Sequence, residues 1–60
     1  MNKANWEVIV NGRTIVYTED KDLAWKTFGF YIENAKVLNV READLACVEA
    51  EYWFTYTAEA

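Results

Sequence analysis

The sequence predicts an α+β fold, with a small antiparallel sheet in the order ββαββ along the chain and one helix packed on one face. Three observations predict it. Two β-rich runs flank the dipeptide Asn11-Gly12, an amphipathic stretch runs from Glu19 to Ala35, and apolar residues then alternate as far as Thr57. A chain of 60 residues is expected to form one domain, residues 1–60.

The first predicted element is a β-hairpin. Trp6–Val10 and Arg13–Thr18 are rich in β-branched and aromatic residues, and the Asn-Gly between them tolerates positive φ at both positions of a type I′ turn. A two-residue loop sets the pairs on the core face, namely Val10 with Arg13, Val8 with Ile15 and Trp6 with Tyr17. The opposite face is expected to carry Glu7, Ile9, Thr14, Val16 and Thr18.

A helix is predicted from about Glu19 to Ala35, with Thr18 as its N-cap. At 100° per residue, one apolar stripe contains Ala24, Phe28, Tyr31, Ile32 and Ala35, with Trp25 on its flank. Leu23 and Phe30 fall outside this stripe, so the apolar arc is wider than one sheet contact requires. Gly29 in mid-helix costs about 1 kcal/mol relative to Ala, and a close approach of other backbone is the expected reason.

Two strands are predicted after the helix. Val37–Arg41 reads as a short strand, Glu42–Asp44 as a polar break or turn, and Leu45–Thr57 as a long strand. Its alternation directs one set of side chains to the helix, Tyr52, Phe54 and Tyr56, and another outward, Glu49, Glu51 and Trp53. A helix over 42–52 is the competing interpretation, because Ala, Glu and Leu favour helices. We prefer the strand, because on a helix the charged residues would leave no clean apolar face.

Charge and composition exclude several classes of function. Ten Asp and Glu outnumber six Lys and Arg, and the net charge is −4. Since the basic residues are scattered, direct binding to a nucleic-acid backbone is not expected. No stretch approaches the roughly 20 apolar residues of a membrane span, and the first residues lack the apolar run of a secretory signal. We therefore predict a cytoplasmic protein with no membrane partner.

The residues that could carry chemistry favour structural roles. Glu49 and Glu51 would lie on one strand face, but a small sheet with one helix offers no deep cleft for a catalytic carboxylate. Glu19, Asp20 and Asp22 lack the spacing and the glycine of a calcium loop, and Cys47 has no histidine to act as its base. We predict no enzyme, no cofactor and no metal site. A metal- or small-ligand-binding accessory protein, or a purely structural oligomerisation protein, is the alternative.

The aromatic content points to an interface. The chain contains 3 Trp, 4 Tyr and 3 Phe, whereas a domain of this size buries only about 60% of its extended surface. With a lone cysteine and no zinc-ligand set, self-association is the remaining way to stabilise the fold, and a homodimer is expected. The predicted contact residues are Trp53, Glu49 and Glu51, followed by Trp25 and Phe30. The expected partners are a second copy and a protein with a basic surface.

The layout of three segments resembles that of small early proteins of lytic bacteriophages that inhibit host RNA polymerase. These segments are the hairpin end Ile15–Glu19, the helical Asp22–Trp25 and the following Ala35–Arg41. The resemblance covers residues 6–41, carries over no functional residue and gives no counterpart for the aromatic strand after Asp44. It implies a compact acidic protein in the host cytoplasm that blocks a host or anti-phage defence protein by occupying a basic surface.

Overall fold

The computed structural model describes residues 4–47, 49 and 52–58. Its elements are β1 (Trp6–Val10), β2 (Arg13–Thr18), α1 (Lys21–Glu33), α2 (Ala35–Leu38), β3 (Glu42–Cys47) and β4 (Tyr52–Thr57). The strands form one antiparallel sheet in the order β2-β1-β3-β4, and α1 packs across β1, β2 and β3. The predicted α+β class, with a helix on a four-stranded antiparallel sheet, is confirmed.

The predicted hairpin forms, but its register changes along the strands. Asn11 and Gly12 have φ of 52° and 80°, as a type I′ turn requires. Val10 pairs with Arg13 as predicted, whereas a shift between Val8 and Ile9 pairs Val8 with Val16. The additional residue in β2 is Ile15, and the irregularity is a β-bulge.

Because of the bulge, the side chains of β2 face differently from the prediction. Ile15 and Val16 both pack against the core, whereas Val16 was expected on the opposite face. Tyr17 now pairs with Glu7 and is 64% exposed, so its predicted place in the core is wrong. The physical reason is the two-residue period of a strand, since a shift of one residue exchanges the faces of the residues beyond it.

Helix α1 begins two residues later than predicted and uses a different cap. The backbone N–H of Leu23 donates to Asp20 Oδ1 at 3.1 Å, so Asp20 is the N-cap. Thr18 Oγ1 instead accepts from the backbone N–H of Asp20 at 3.0 Å, which orders the approach to the cap. The predicted apolar stripe is confirmed, because Ala24 and Phe28 are buried and the remaining members, Tyr31, Ile32 and Ala35, pack against the same cluster.

The strand predicted over Val37–Arg41 is wrong, because the chain makes a further helical turn, α2, over Ala35–Leu38. Asn39 ends it in the left-handed conformation, with φ 58°. The N–H of Asn39 donates to the carbonyl of Lys36 and the N–H of Val40 to that of Ala35. These two bonds form a Schellman motif, which terminates a helix by satisfying its last carbonyls.

The C-terminal segment is a hairpin and not one long strand. Glu42–Asp44, predicted as a break, begins β3, and the chain reverses so that Cys47 pairs with Tyr52 and Glu42 with Thr57. The competing helix over 42–52 is excluded for Glu42–Cys47, which is a strand. Residues 48, 50 and 51 lie outside the described residues. Apolar alternation continues through the reversal, which is why the pattern predicts a single strand.

Asn11 joins the first hairpin to the connection between α2 and β3 through hydrogen bonds. Its side-chain Nδ2 donates to the carbonyl of Asn39 at 3.1 Å. Its Oδ1 accepts from the backbone N–H groups of Arg41, at 2.7 Å, and Glu42, at 3.2 Å. The N–H of Asn11 also donates to the carbonyl of Glu42 at 2.8 Å, so the turn extends the contact of β1 with β3.

The two glycines offer a matched test of backbone conformation. A Cβ at either position would meet no atom within 4 Å, so the expected close approach at Gly29 is wrong. Gly29→Ala should therefore stabilise α1 by about 1 kcal/mol. Gly12→Ala should destabilise the fold by about 1–2 kcal/mol, because φ at Gly12 is +80°. Thermal unfolding by circular dichroism at one protein concentration measures both, and a lower Tm for Gly29→Ala would contradict this account.

Asn11→Gly tests how much the side-chain hydrogen bonds of Asn11 stabilise the fold. Glycine keeps the positive φ and removes three exposed side-chain hydrogen bonds, so we expect the free energy of unfolding to fall by about 1–3 kcal/mol. Urea unfolding measures the change. Thr14→Ala is the control, because it removes a single exposed bond to Glu7 and should cost less than about 1 kcal/mol. Equal urea midpoints for Asn11→Gly and the parent chain would show that these hydrogen bonds do not stabilise the fold.

Candidate protein-binding surface

The sheet face turned away from α1 is called the open face. Val8, Leu45 and Phe54 point toward α1, because Val8 and Leu45 are in the buried core and the Phe54 ring contacts Phe28. Their neighbours along each strand must point the other way. From β2 to β4, the open face carries Thr14 and Tyr17, then Glu7 and Ile9, then Glu42, Asp44 and Ala46, then Trp53, Thr55 and Thr57.

An aromatic ring stands at each end of one row that crosses the open face. Cross-strand pairing aligns this row as Tyr17, Glu7, Ala46 and Trp53. Tyr17 is 64% exposed and Trp53 is 59% exposed. Since neighbouring strands lie about 4.8 Å apart, the backbones at the two ends of the row are about 14 Å apart. The row presents two exposed rings, with the half-buried Glu7 and the buried Ala46 between them.

The charged residues among the described positions of the open face are all acidic. Glu7, Glu42 and Asp44 lie on it, and the described strand residues place no Lys or Arg there. Thr14 Oγ1 donates to Glu7 Oε2 at 2.5 Å, which holds this carboxylate along the sheet surface. The described basic side chains belong elsewhere: Arg13 pairs with Val10 on the helix side, Lys21 and Lys26 are on α1, Lys36 is on α2, and Arg41 precedes β3.

Trp53 and Glu49, two of the three residues predicted to act together on the last strand, lie in different parts of the structure. Trp53 lies on the open face, as the alternation predicts. Glu49 lies outside the strands, in a short helical turn between β3 and β4, where it is exposed and its Oε1 accepts from the backbone N–H of Asn5 at 2.6 Å. Glu51 falls outside the described residues. The expected pair of glutamates behind Trp53 is therefore corrected for Glu49.

Trp25, which the sequence predicts as a contact residue, packs against the core. It is half-buried, and its ring makes edge contacts with Phe28 and Phe54 at centroid distances of 6.2 and 5.5 Å. Phe54 reaches it from β4, a contact that no local pattern encodes. Its role in binding stays a prediction, but its ring already packs against the core of its own chain.

Phe30 lies on α1 and is 56% exposed, with its ring centroid 5.7 Å from that of Tyr31. Because α1 covers the side of the sheet opposite the open face, Phe30 and Trp53 cannot belong to one continuous flat surface. Phe30 and Trp53 are therefore separate candidate positions. Trp53 shares its face of the sheet with a second exposed ring, Tyr17, and with acidic residues, whereas Phe30 lies on the helix.

Sequence reasoning missed Tyr17, Glu7 and Asp44 as members of the candidate surface. The sequence contains no signal for the bulge that exposes Tyr17. A signal for Asp44 exists, because Glu42 and Asp44 alternate with Ala43 and Leu45 in the two-residue period of a half-buried strand.

Within 4–47, 49 and 52–58, no three His, Cys, Asp or Glu side chains come together as a possible metal-ligand set. Neither described helix has the length and apolar character needed to cross a membrane. Comparison with protein-family models, with curated proteins and with solved structures finds no match to this chain.

Two tryptophan substitutions should distinguish a side chain that packs in the core from one that lies on the surface. Trp25→Ala removes ring contacts with Phe28 and Phe54, and we expect it to lower the free energy of unfolding by about 2–4 kcal/mol. Trp53→Ala removes an exposed ring and should cost less than about 1 kcal/mol. Urea unfolding at a low, fixed protein concentration compares them, and equal losses would contradict the assignment.

Proposed function

We propose that this protein is a non-enzymatic binding module whose open face docks on the basic surface of another protein and inhibits that protein by covering it. The observation that carries the proposal is the row with exposed Tyr17 and Trp53 at its ends and Glu7 between them. Tyr and Trp are the residues most enriched among those that dominate binding energy, since they bury a large area at a low cost in side-chain entropy.

The charge of the open face decides which kind of partner it suits. Glu7, Glu42 and Asp44 would oppose the same three carboxylates if two copies met face to face, and like charges in an interface cost several kcal/mol. A basic surface reverses the sign of every one of these interactions. The proposed occupant of the open face is therefore a different protein with exposed Lys or Arg side chains.

Proteins that handle nucleic acids carry such basic surfaces, because they must neutralise phosphates. A module that occupies one of them blocks access of the natural ligand without performing any chemistry. This mode of action agrees with the class that the layout resemblance implies, an early phage protein acting in the host cytoplasm on a host or anti-phage defence protein.

Capture from bacterial lysate on the immobilised protein, followed by titration of the purified captured protein, tests the aromatic contribution. Replacing both Tyr17 and Trp53 by Ala should weaken binding about 30-fold or more. Phe30→Ala is a matched control, since Phe30 is exposed to nearly the same extent as Trp53, 56% against 59%. It should change affinity less than about twofold. Loss of binding in the Phe30 variant alone would move the interface to α1 and reject the open face.

The same titration tests the charge contribution. Glu7→Gln combined with Asp44→Asn keeps the shapes of the side chains, and we expect affinity at low salt to fall about tenfold and the salt dependence to become shallower. Asp22→Asn combined with Glu33→Gln is the control, since it removes two exposed carboxylates from α1. Equal effects of the two pairs would mean that only net charge matters and would contradict docking by the open face.

A further inference from the structure

The two edges of the sheet differ in their protection against pairing with another strand. Edge strand β2 contains the charged Arg13 and the bulge at Ile15, two devices that discourage edge pairing. Edge strand β4, Tyr52–Thr57, contains no charged residue, glycine or proline. Its register with β3 proceeds without a shift from Cys47–Tyr52 to Glu42–Thr57. The edge at β4 is regular and uncharged.

The backbone of β4 directs three residues to the outside of the sheet. The N–H of Ala58 donates to the carbonyl of Arg41 at 2.8 Å, which continues the ladder between β3 and β4. Hydrogen-bonded and non-hydrogen-bonded pairs alternate in an antiparallel ladder, so Tyr56 and Phe54 bond to β3 as Ala58 does. The residues that alternate with these, Trp53, Thr55 and Thr57, direct their N–H and C=O groups to the outer edge.

The core side of β4 is only partly covered. Helix α1 packs across β1, β2 and β3, and it meets β4 through ring contacts of Trp25 and Phe28 with Phe54. Phe54 consequently remains 48% exposed although it points to the same side as the buried Leu45. An apolar ring placed beside Phe54, on the outer side of β4, would complete its burial.

We propose that β4 pairs antiparallel with β4 of a second copy, about a twofold axis that passes between the two Thr55 residues. This register exchanges the backbone hydrogen bonds of Thr55 with Thr55, and of Trp53 with Thr57. It places Phe54 opposite Tyr56 of the second copy, an aromatic cross-strand pair on the helix side of the sheet. The partner is thus a second copy of this chain, recognised by an uncharged, self-complementary strand.

Strand geometry selects this register over others. Outward-directed residues must pair with outward-directed residues, which allows only shifts of two positions. Centring the axis on Thr55 overlaps the whole of β4, whereas centring it on Trp53 or Thr57 shortens the overlap. No charged side chain of β4 opposes another, in contrast to the acidic open face.

Pairing at β4 would join the two sheets into one of eight strands, within the usual size of open sheets. A twofold axis perpendicular to the sheet keeps both copies of α1 on one side and makes the two open faces continuous. Four strands of this length give one open face an area of roughly 300 Å². A standard protein interface buries about 800 Å² on each partner, so one open face is small. The dimer would double the area of this surface. This contact uses the backbone of β4, whereas docking on a basic partner uses the side chains of the open face.

Substitution of Thr55 by residues of opposite charge tests the pairing of the two β4 strands and its register. Sedimentation equilibrium of the parent chain should give twice its 7.0 kDa mass. Thr55→Lys and Thr55→Glu should each weaken the dimer at least about tenfold, because each places like charges across the axis. An equimolar mixture of the two variants should recover dimers. Thr14→Lys is the matched control, an exposed threonine changed on the opposite edge strand, and it should leave the dimer unchanged.

Amide hydrogen exchange of the parent chain provides a test without substitution. The N–H groups of Trp53, Thr55 and Thr57 should become protected as protein concentration rises, whereas those of Phe54 and Tyr56 should be protected at all concentrations. A parent chain that stays monomeric, or a mixture that does not recover dimers, would overturn the proposal. Weakening by Thr14→Lys alone would also overturn it. Open-face capture depends on Tyr17 and Trp53, so either proposal can fail without the other.

Discussion

The pairing of β1 with β3 is the interaction on which the rest of the molecule depends. It makes Val8 and Leu45 cross-strand neighbours at the centre of the sheet, and both are completely buried beneath α1. Without it, the chain would hold two separate hairpins, and a two-stranded hairpin is only marginally stable in water. The side chain of Asn11 reinforces the same junction by bonding to the backbone at Arg41 and Glu42.

The sheet has two candidate binding surfaces, the open face and the outer edge of β4, and they differ in charge. The open face combines exposed Tyr17 and Trp53 with carboxylates and no described basic residue, and this composition supports the proposed docking on a basic partner. The β4 edge is uncharged and has regular backbone geometry, and these two properties support the proposed pairing with a second copy.

Some of this could be predicted from the sequence, because the signals are local. Asn11-Gly12 determines the turn through its tolerance of positive φ. The 3.6-residue period identifies Ala24 and Phe28 as the buried positions of the helix. The two-residue period places Trp53 on the opposite side from Phe54. Each inference uses residues a few positions apart, whose relation does not depend on the rest of the chain.

Other features were decided by the tertiary structure, because they depend on pairing between distant segments. The bulge at Ile15 exposes Tyr17 and creates one end of the aromatic row, yet a one-residue shift leaves no mark in composition. Packing of Phe54 from β4 draws Trp25 into the core. By itself, the sequence determined the turn, the helix and the alternation of faces. The partners of each strand and the register between them were set by which segments could bury one another.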